Sequence, residues 1–158
     1  MKKNKIKNTG LEVTELSFGT SSLGSMPDTY GYEVPEERAQ DTLKRFFKGP
    51  VNLLDTSRNY AMGESEKRIG RAIKENGGWP SDFILSTKID RNMETLVLDK
   101  SRTRESIEES LKTLNLDSVD ILFLHDPEYV KDIKDVTKEN GAMDELFKIK
   151  EEGLAKAV

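Results

Sequence analysis

The chain has 158 residues, with 25 Lys and Arg against 29 Asp and Glu and a formal net charge of -4. That length suits one domain with a core of its own, and the mixed charge leaves no electrostatic footprint for nucleic acid or for an anionic membrane. No cysteine is present, which excludes disulfides, thiolate metal sites and cysteine nucleophiles and fits a cytoplasmic setting.

The basic start Met1-Lys2-Lys3-Asn4-Lys5 has no apolar stretch behind it and does not read as a secretory leader. Lys5-Ile6-Lys7 and Leu11-Glu12-Val13, with Asn8-Thr9-Gly10 between them, read as a small hairpin. Five strand-like runs follow: Leu16–Gly19, Val51–Leu54, Phe83–Ser86, Val119–Leu124 and Ala155–Val158. Their starts lie 35, 32, 36 and 36 residues apart, the size of a strand–helix unit. The longest strongly apolar run, Ile121 to Leu124, is far below a membrane span.

Helical patterns fill the intervals. Pro35 with Glu36 and Glu37 suits a first turn, and Ala39, Leu43, Phe46 and Phe47 then share one face. A second helix carries Ile69, Ala72 and Ile73 and stops near Gly77-Gly78. A third starts around Ser101 to Thr103, with Ile107, Leu111 and Leu114 on one face and a Glu108–Lys112 pair on another. A fourth uses Met143, Leu146 and Phe147 and ends at Gly153. The segments 26–34 and 128–140 read as long strand-to-helix loops. Strict alternation predicts an α/β fold with a parallel sheet, but periodicity leaves a doubly wound sheet and a barrel both open.

Four polar residues fall at or just beyond the carboxyl ends of successive strands, where both architectures place their active sites. Asp55 follows the second strand, Tyr60 lies in the turn after it, Lys88 closes the third and His125 closes the fourth. Singly, each has a plain structural role: a helix cap, a rim aromatic, a solvated lysine, a satisfied histidine. Together they make a set for carbonyl chemistry. Hydride transfer to a carbonyl carbon builds charge on oxygen, which needs a proton. A phenol ordinarily holds its proton too tightly at neutral pH, and a lysine ammonium beside it stabilises the phenolate. An aspartate keeps that lysine charged and in place, and a histidine can orient the substrate oxygen.

The run Asp55-Thr56-(x)3-Tyr60-(x)2-Gly63-x-Ser65-Glu66, then Ser86-Thr87-Lys88, then Leu124-His125-Asp126-Pro127-Glu128, resembles the aldo-keto reductase family. Gly10-Leu11-Glu12-Val13-(x)4-Phe18-Gly19-Thr20 and Glu109-Ser110-Leu111-Lys112-Thr113-Leu114 look like it too. The resemblance implies the N-terminal half of a (β/α)8 TIM barrel with an N-terminal β-hairpin. Residues 1–158 would form a single partial domain of four β/α units and the start of strand five. It implies Tyr60 as general acid and base, Lys88 and Asp55 as its tuners, and His125 as the substrate-orienting residue. It also implies NADP(H) or NAD(H) as cofactor, with contacts at Gly19, Thr20 and Asp55, and a small carbonyl or sugar substrate. His125-Asp126-Pro127-Glu128 looks more like the sugar- and pyridoxal-dehydrogenase branch than like the steroid or aldose reductases. Because the family has eight strand–helix units, the chain reads as truncated, with poor cofactor retention and self-association through open barrel edges as consequences. Three other readings compete: a Schiff-base aldolase using Lys88, a metal hydrolase using Asp55, Glu64, His125 and Asp126, and a regulatory or scaffold member of the same fold.

Overall fold

The computed structural model describes all 158 residues. An antiparallel hairpin leads, β1 (Lys3–Lys5) pairing with β2 (Glu12–Thr14). Its first arm lies two residues earlier than the sequence pattern predicts. The connection takes up the difference because Asn8 and Gly10 both adopt positive φ, 64° and 75°, and Thr9 Oγ1 donates back to the Ile6 carbonyl.

Five parallel strands follow: β3 (Ser17–Gly19), β4 (Leu53–Asp55), β5 (Ile84–Ile89), β6 (Val119–Leu124) and β7 (Ala155–Ala157). They pair in sequence order, β3-β4-β5-β6-β7. A doubly wound sheet reverses its order at a switch point, whereas each strand here lies beside its predecessor, as in a barrel wall. The architecture is therefore the α/β half barrel that the resemblance implies. β3 and β7 are its two edges.

Six helices accompany the strands: α1 (Pro27–Tyr30), α2 (Glu36–Phe47), α3 (Glu64–Glu75), α4 (Lys100–Leu114), α5 (Ile133–Thr137) and α6 (Ala142–Glu151). α2, α3, α4 and α6 are the crossovers. α1 and α5 are short insertions in segments that the sequence alone presents as loops. α4 begins earlier than its apolar pattern, because the Asp99 carboxylate caps it by accepting from the Arg102 N–H at 2.9 Å. In α6 the buried face is Ala142, Glu145, Leu146 and Ile149, and Phe147 is turned outward, against the sequence expectation.

One apolar layer lies between the helices and the sheet, joining Leu54, Leu85, Ile89 and Leu122 to Leu43, Ile69, Ile107 and Ile149. A smaller cluster seats the hairpin on the opposite face, where Leu11 packs with Ile84, Ile121 and Ala157. Asn52 ties the two parts together. Its Oδ1 accepts from the Thr14 N–H at 2.8 Å, and its Nδ2 donates to the Glu12 and Asp82 carbonyls at 2.9 and 3.0 Å. No helix is long and apolar enough to cross a membrane.

Candidate active site

The sheet brings the four residues together at one end. Asp55 ends β4 and lies in register with Ser86, while Lys88 in β5 lies in register with Phe123 of β6. His125 follows β6 by one residue and donates its backbone N–H to the Ile89 carbonyl. Tyr60 opens a short 3-10 turn, Tyr60–Gly63, between β4 and α3. That turn is tight: Ala61, Met62 and Gly63 have φ of 51°, 54° and 90°. The two non-glycine residues each bear a left-handed cost of about 1–2 kcal/mol.

Lys88 is the hub. Its Nζ donates to Asp55 Oδ2 at 2.8 Å, to the Thr56 carbonyl at 2.7 Å and to the Tyr60 hydroxyl at 3.0 Å. An ammonium has three hydrogens, so all are engaged, and Tyr60 accepts from the lysine while keeping its own proton free to give. The other Asp55 oxygen is occupied as well, accepting from Ser86 Oγ at 2.7 Å. The Tyr60 and His125 rings meet edge-on with centroids 5.8 Å apart. Asp55, Tyr60, Lys88 and His125 thus share one site.

Gly19 and Thr20 behave differently from one another. Gly19 ends β3 in register with Asp55, is exposed, and an added Cβ there would meet nothing within 4 Å. Thr20 is fully buried, its hydroxyl donating to the Asp55 carbonyl at 2.9 Å and accepting from Ser65 at 3.1 Å. It supports Asp55 from behind.

Three further polar residues join the site that the sequence pattern does not single out. Ser86 orients Asp55, as above. Asp90 and Ser57 surround His125: Asp90 Oδ1 is 2.5 Å from Nδ1, and Ser57 Oγ is 3.2 Å from Nδ1 and donates to Asp90 Oδ2 at 2.7 Å. Asp90 sits one residue beyond β5, so the rule that flags Lys88 and His125 also applies to it.

Behind the site the layer between sheet and helices contains a carboxylic acid. Glu66 of α3 is fully buried and accepts from Thr87 Oγ1 at 2.6 Å. Burial pushes its pKa up to about 7, since the charged form would lose its hydration. Glu109 of α4 is the opposite case. Arg102 donates to it at 2.9 Å and Arg58 at 3.2 Å, and the Arg102 hydrogen bond foremost holds its carboxyl below the ordinary range. This clamp fixes the loop between Asp55 and Tyr60 to α4. Asp55, Glu64, His125 and Asp126 form no group of three that could hold a metal ion.

A model described as the aldo/keto reductase family matches residues 15–158. Among curated proteins, L-galactose dehydrogenase of Arabidopsis thaliana is 42% identical over 122 residues, covering 77% of this chain and 37% of that protein. Aldo-keto reductase YhdN of Bacillus subtilis is 30% identical over 151 residues, covering 93% of this chain and 44% of that protein. Among solved structures, the holo form of aldo-keto reductase AKR11C1 from Bacillus halodurans superposes with a TM-score of 0.77 at 28% identity, covering 99% of this chain and 48% of that one. The chain therefore spans less than half the length of these relatives.

Proposed function

The chain belongs to the aldo/keto reductase family, and from that premise we propose that it serves reversible hydride transfer between NADP(H) or NAD(H) and a carbonyl or alcohol substrate, with Tyr60 as general acid and base. The observation that carries this is the Lys88 hub, one ammonium held by Asp55 and in contact with the Tyr60 hydroxyl. We read residues 1–158 as a single partial domain, four β/α units and the start of the fifth strand of the family's barrel.

A nicotinamide cofactor, when bound, would supply or take the hydride. Gly19 and Asp55 are the residues that would flank it, since they lie in register at the strand ends and the space beside Gly19 is open. In the reduction direction Tyr60 gives its proton to the substrate oxygen, and Lys88 stabilises the phenolate that remains. Asp55 keeps the ammonium charged and stationary, with Ser86 and Thr20 fixing Asp55 in turn. In the oxidation direction the phenolate takes the proton of the alcohol. His125 orients the substrate oxygen. The 42% identity to a sugar dehydrogenase favours a hydroxylated, sugar-like substrate over a steroid or a simple aromatic aldehyde.

The aldolase reading is disfavoured because Lys88 has no free donor or lone pair to offer as an amine nucleophile: three partners hold it as an ammonium. A scaffold reading leaves the Tyr60–Lys88–Asp55 arrangement without a use.

The test is a turnover assay with sugars and their aldehydes, following NAD(P)H absorbance. It is run on the chain alone and on the chain fused to the second half of the Bacillus subtilis relative's barrel. The fusion is expected to turn over and the chain alone to bind cofactor weakly. Turnover by the fusion that survives Lys88→Met unchanged would sink the assignment.

A further inference from the structure

Asp90 is the carboxylate of the site that the hydride-transfer scheme leaves without a part. Its side chain is only 3% exposed, and among all basic side chains only His125 lies within ion-pair distance of it. Burying a carboxylate without a partner is costly, so this pairing must account for its presence. Oδ1 faces His125 Nδ1 at 2.5 Å, while Oδ2 accepts from Ser57 Oγ at 2.7 Å and from the Asn59 N–H at 3.0 Å. The backbone is pinned as well: the Asp90 N–H donates to Ser106 Oγ at 3.0 Å and its carbonyl accepts from Arg102 Nε at 3.1 Å. A carboxylate only accepts, so the hydrogen between the two groups belongs to Nδ1.

We infer that Asp90 is a positioning residue for His125: it fixes the ring proton on Nδ1 and makes the neutral ring a hydrogen-bond acceptor at Nε2. The consequence concerns substrate class. A neutral ring of this tautomer can hold a hydroxyl, which donates, and not a bare carbonyl oxygen, which needs a donor. Only the doubly protonated ring can grip a carbonyl. The reacting hydroxyl gives its one hydrogen to Tyr60, so the neutral ring suits a second, neighbouring hydroxyl of the substrate, and the protonated ring suits a carbonyl. The groups that face the ring are Asp90 from β5, Ser57 and Tyr60 from the loop after β4, and Asp126, whose Oδ1 is 3.5 Å from Nε2. Arg91 stands beyond, its Nη1 3.9 Å from Asp126 Oδ2. The substrate consequence rests on the proposed hydride transfer; the tautomer does not.

His125 is the only histidine in the chain, so a long-range 1H–15N correlation spectrum of the labelled protein reports this one ring. Recorded on the neutral ring, it should show the proton on Nδ1 and a bare Nε2. In Asp90→Ala the freed Ser57 hydroxyl can donate to Nδ1, so the proton should move to Nε2. Asp90→Asn should restore the first pattern, because its amide oxygen accepts as the carboxylate does. A wild-type ring protonated mainly at Nε2, or an Asp90→Ala ring that keeps its Nδ1 proton, overturns the inference. If Asp90→Ala fails to fold, the wild-type spectrum alone still decides. In the barrel fusion, Asp90→Ala should lower KM for the carbonyl roughly tenfold, the effect of one hydrogen bond gained from the new Nε2 proton, while KM for the alcohol changes little, because a hydroxyl accepts as well as donates. Equal changes in both would overturn the substrate consequence. No turnover in any form, with the tautomer as expected, would overturn the hydride-transfer reading and leave the role of Asp90 standing.

Discussion

The Lys88 ammonium lies 3.0 Å from the Tyr60 hydroxyl and 4.6 Å from the centroid of the same ring, so it meets the phenol through both its oxygen and its face. The second contact is available to any phenyl ring, the first only to a phenol.

Tyr60→Phe in the barrel fusion should separate the two. The ring stays beside Lys88 and keeps its cation–π contact, while the proton donor is gone. Turnover should fall by about 10²–10⁴, the range for losing a general acid, with the cofactor dissociation constant nearly unchanged. Steady-state rates and a cofactor fluorescence titration measure both quantities. Equal turnover in the variant would mean that another group protonates the substrate.

Glu66 gives the fold a pH dependence of defined sign. Its pKa is about 7 in the folded protein against an ordinary value of 4.5. Between those values the folded state holds a proton that the unfolded chain has released. The contribution is complete below the lower value and is lost as pH rises through the upper one, a change of roughly 3 kcal/mol. Urea unfolding at about pH 5 and about pH 8 should show the protein weaker at the higher value. Glu66→Gln, which keeps the shape without the charge, should flatten that difference. A Glu66→Gln variant with the full wild-type pH slope would place its origin elsewhere.

Gly70 sits in the middle of α3, where glycine ordinarily costs about 1 kcal/mol against alanine. Here a Cβ would run into the Thr113 carbonyl and the Leu114 backbone of α4. Gly70→Ala should therefore destabilise by roughly 1–3 kcal/mol, the cost of overpacking, despite its better helix propensity. Denaturant midpoints decide it, and a stabilised variant would show that α3 and α4 can move apart freely.

The helices and strands were legible because each has a periodic apolar face, and Leu54, Leu85, Ile69 and Ile107 are buried as that period requires. Asp55, Tyr60, Lys88 and His125 were legible because a polar residue ending an apolar strand is conspicuous. What remained hidden depends on partners distant in sequence. Asp90 acquires its meaning from a residue 35 positions later, and Gly70 from a carbonyl on the next helix. The outward turn of Phe147 is not legible in the pattern, because its neighbours Leu146 and Ile149 define a face that it does not share. The hairpin shifted because Asn8 and Gly10 set its turn by backbone angle, which hydrophobic pattern does not encode.

The sheet has two unpaired edges, β3 and β7, and Phe123 is 47% exposed on the face that carries Lys88. Unpaired strand edges beside an exposed aromatic ring promote association. Light scattering across a concentration series should give a mass above that of one chain, and Phe123→Ser should lower it. A monomer at every concentration would show that the edges are protected.

The sequential order of the strands also sets a timetable. Each strand docks on the one made just before it, so each pairing closes over one strand–helix unit and needs nothing synthesised later. A ribosome delivering the chain from its N-terminus completes β4 and β5 first, and with them the meeting of Lys88, Asp55 and Tyr60. Asp90 emerges two residues after Lys88, and its Oδ2 can meet Ser57 and Asn59 at once, but its Oδ1 waits until β6 carries His125 to it. The anchor of the proton donor is thus assembled before the residue that orients the substrate, and the last step of building the site is the closure of a single carboxylate–imidazole contact.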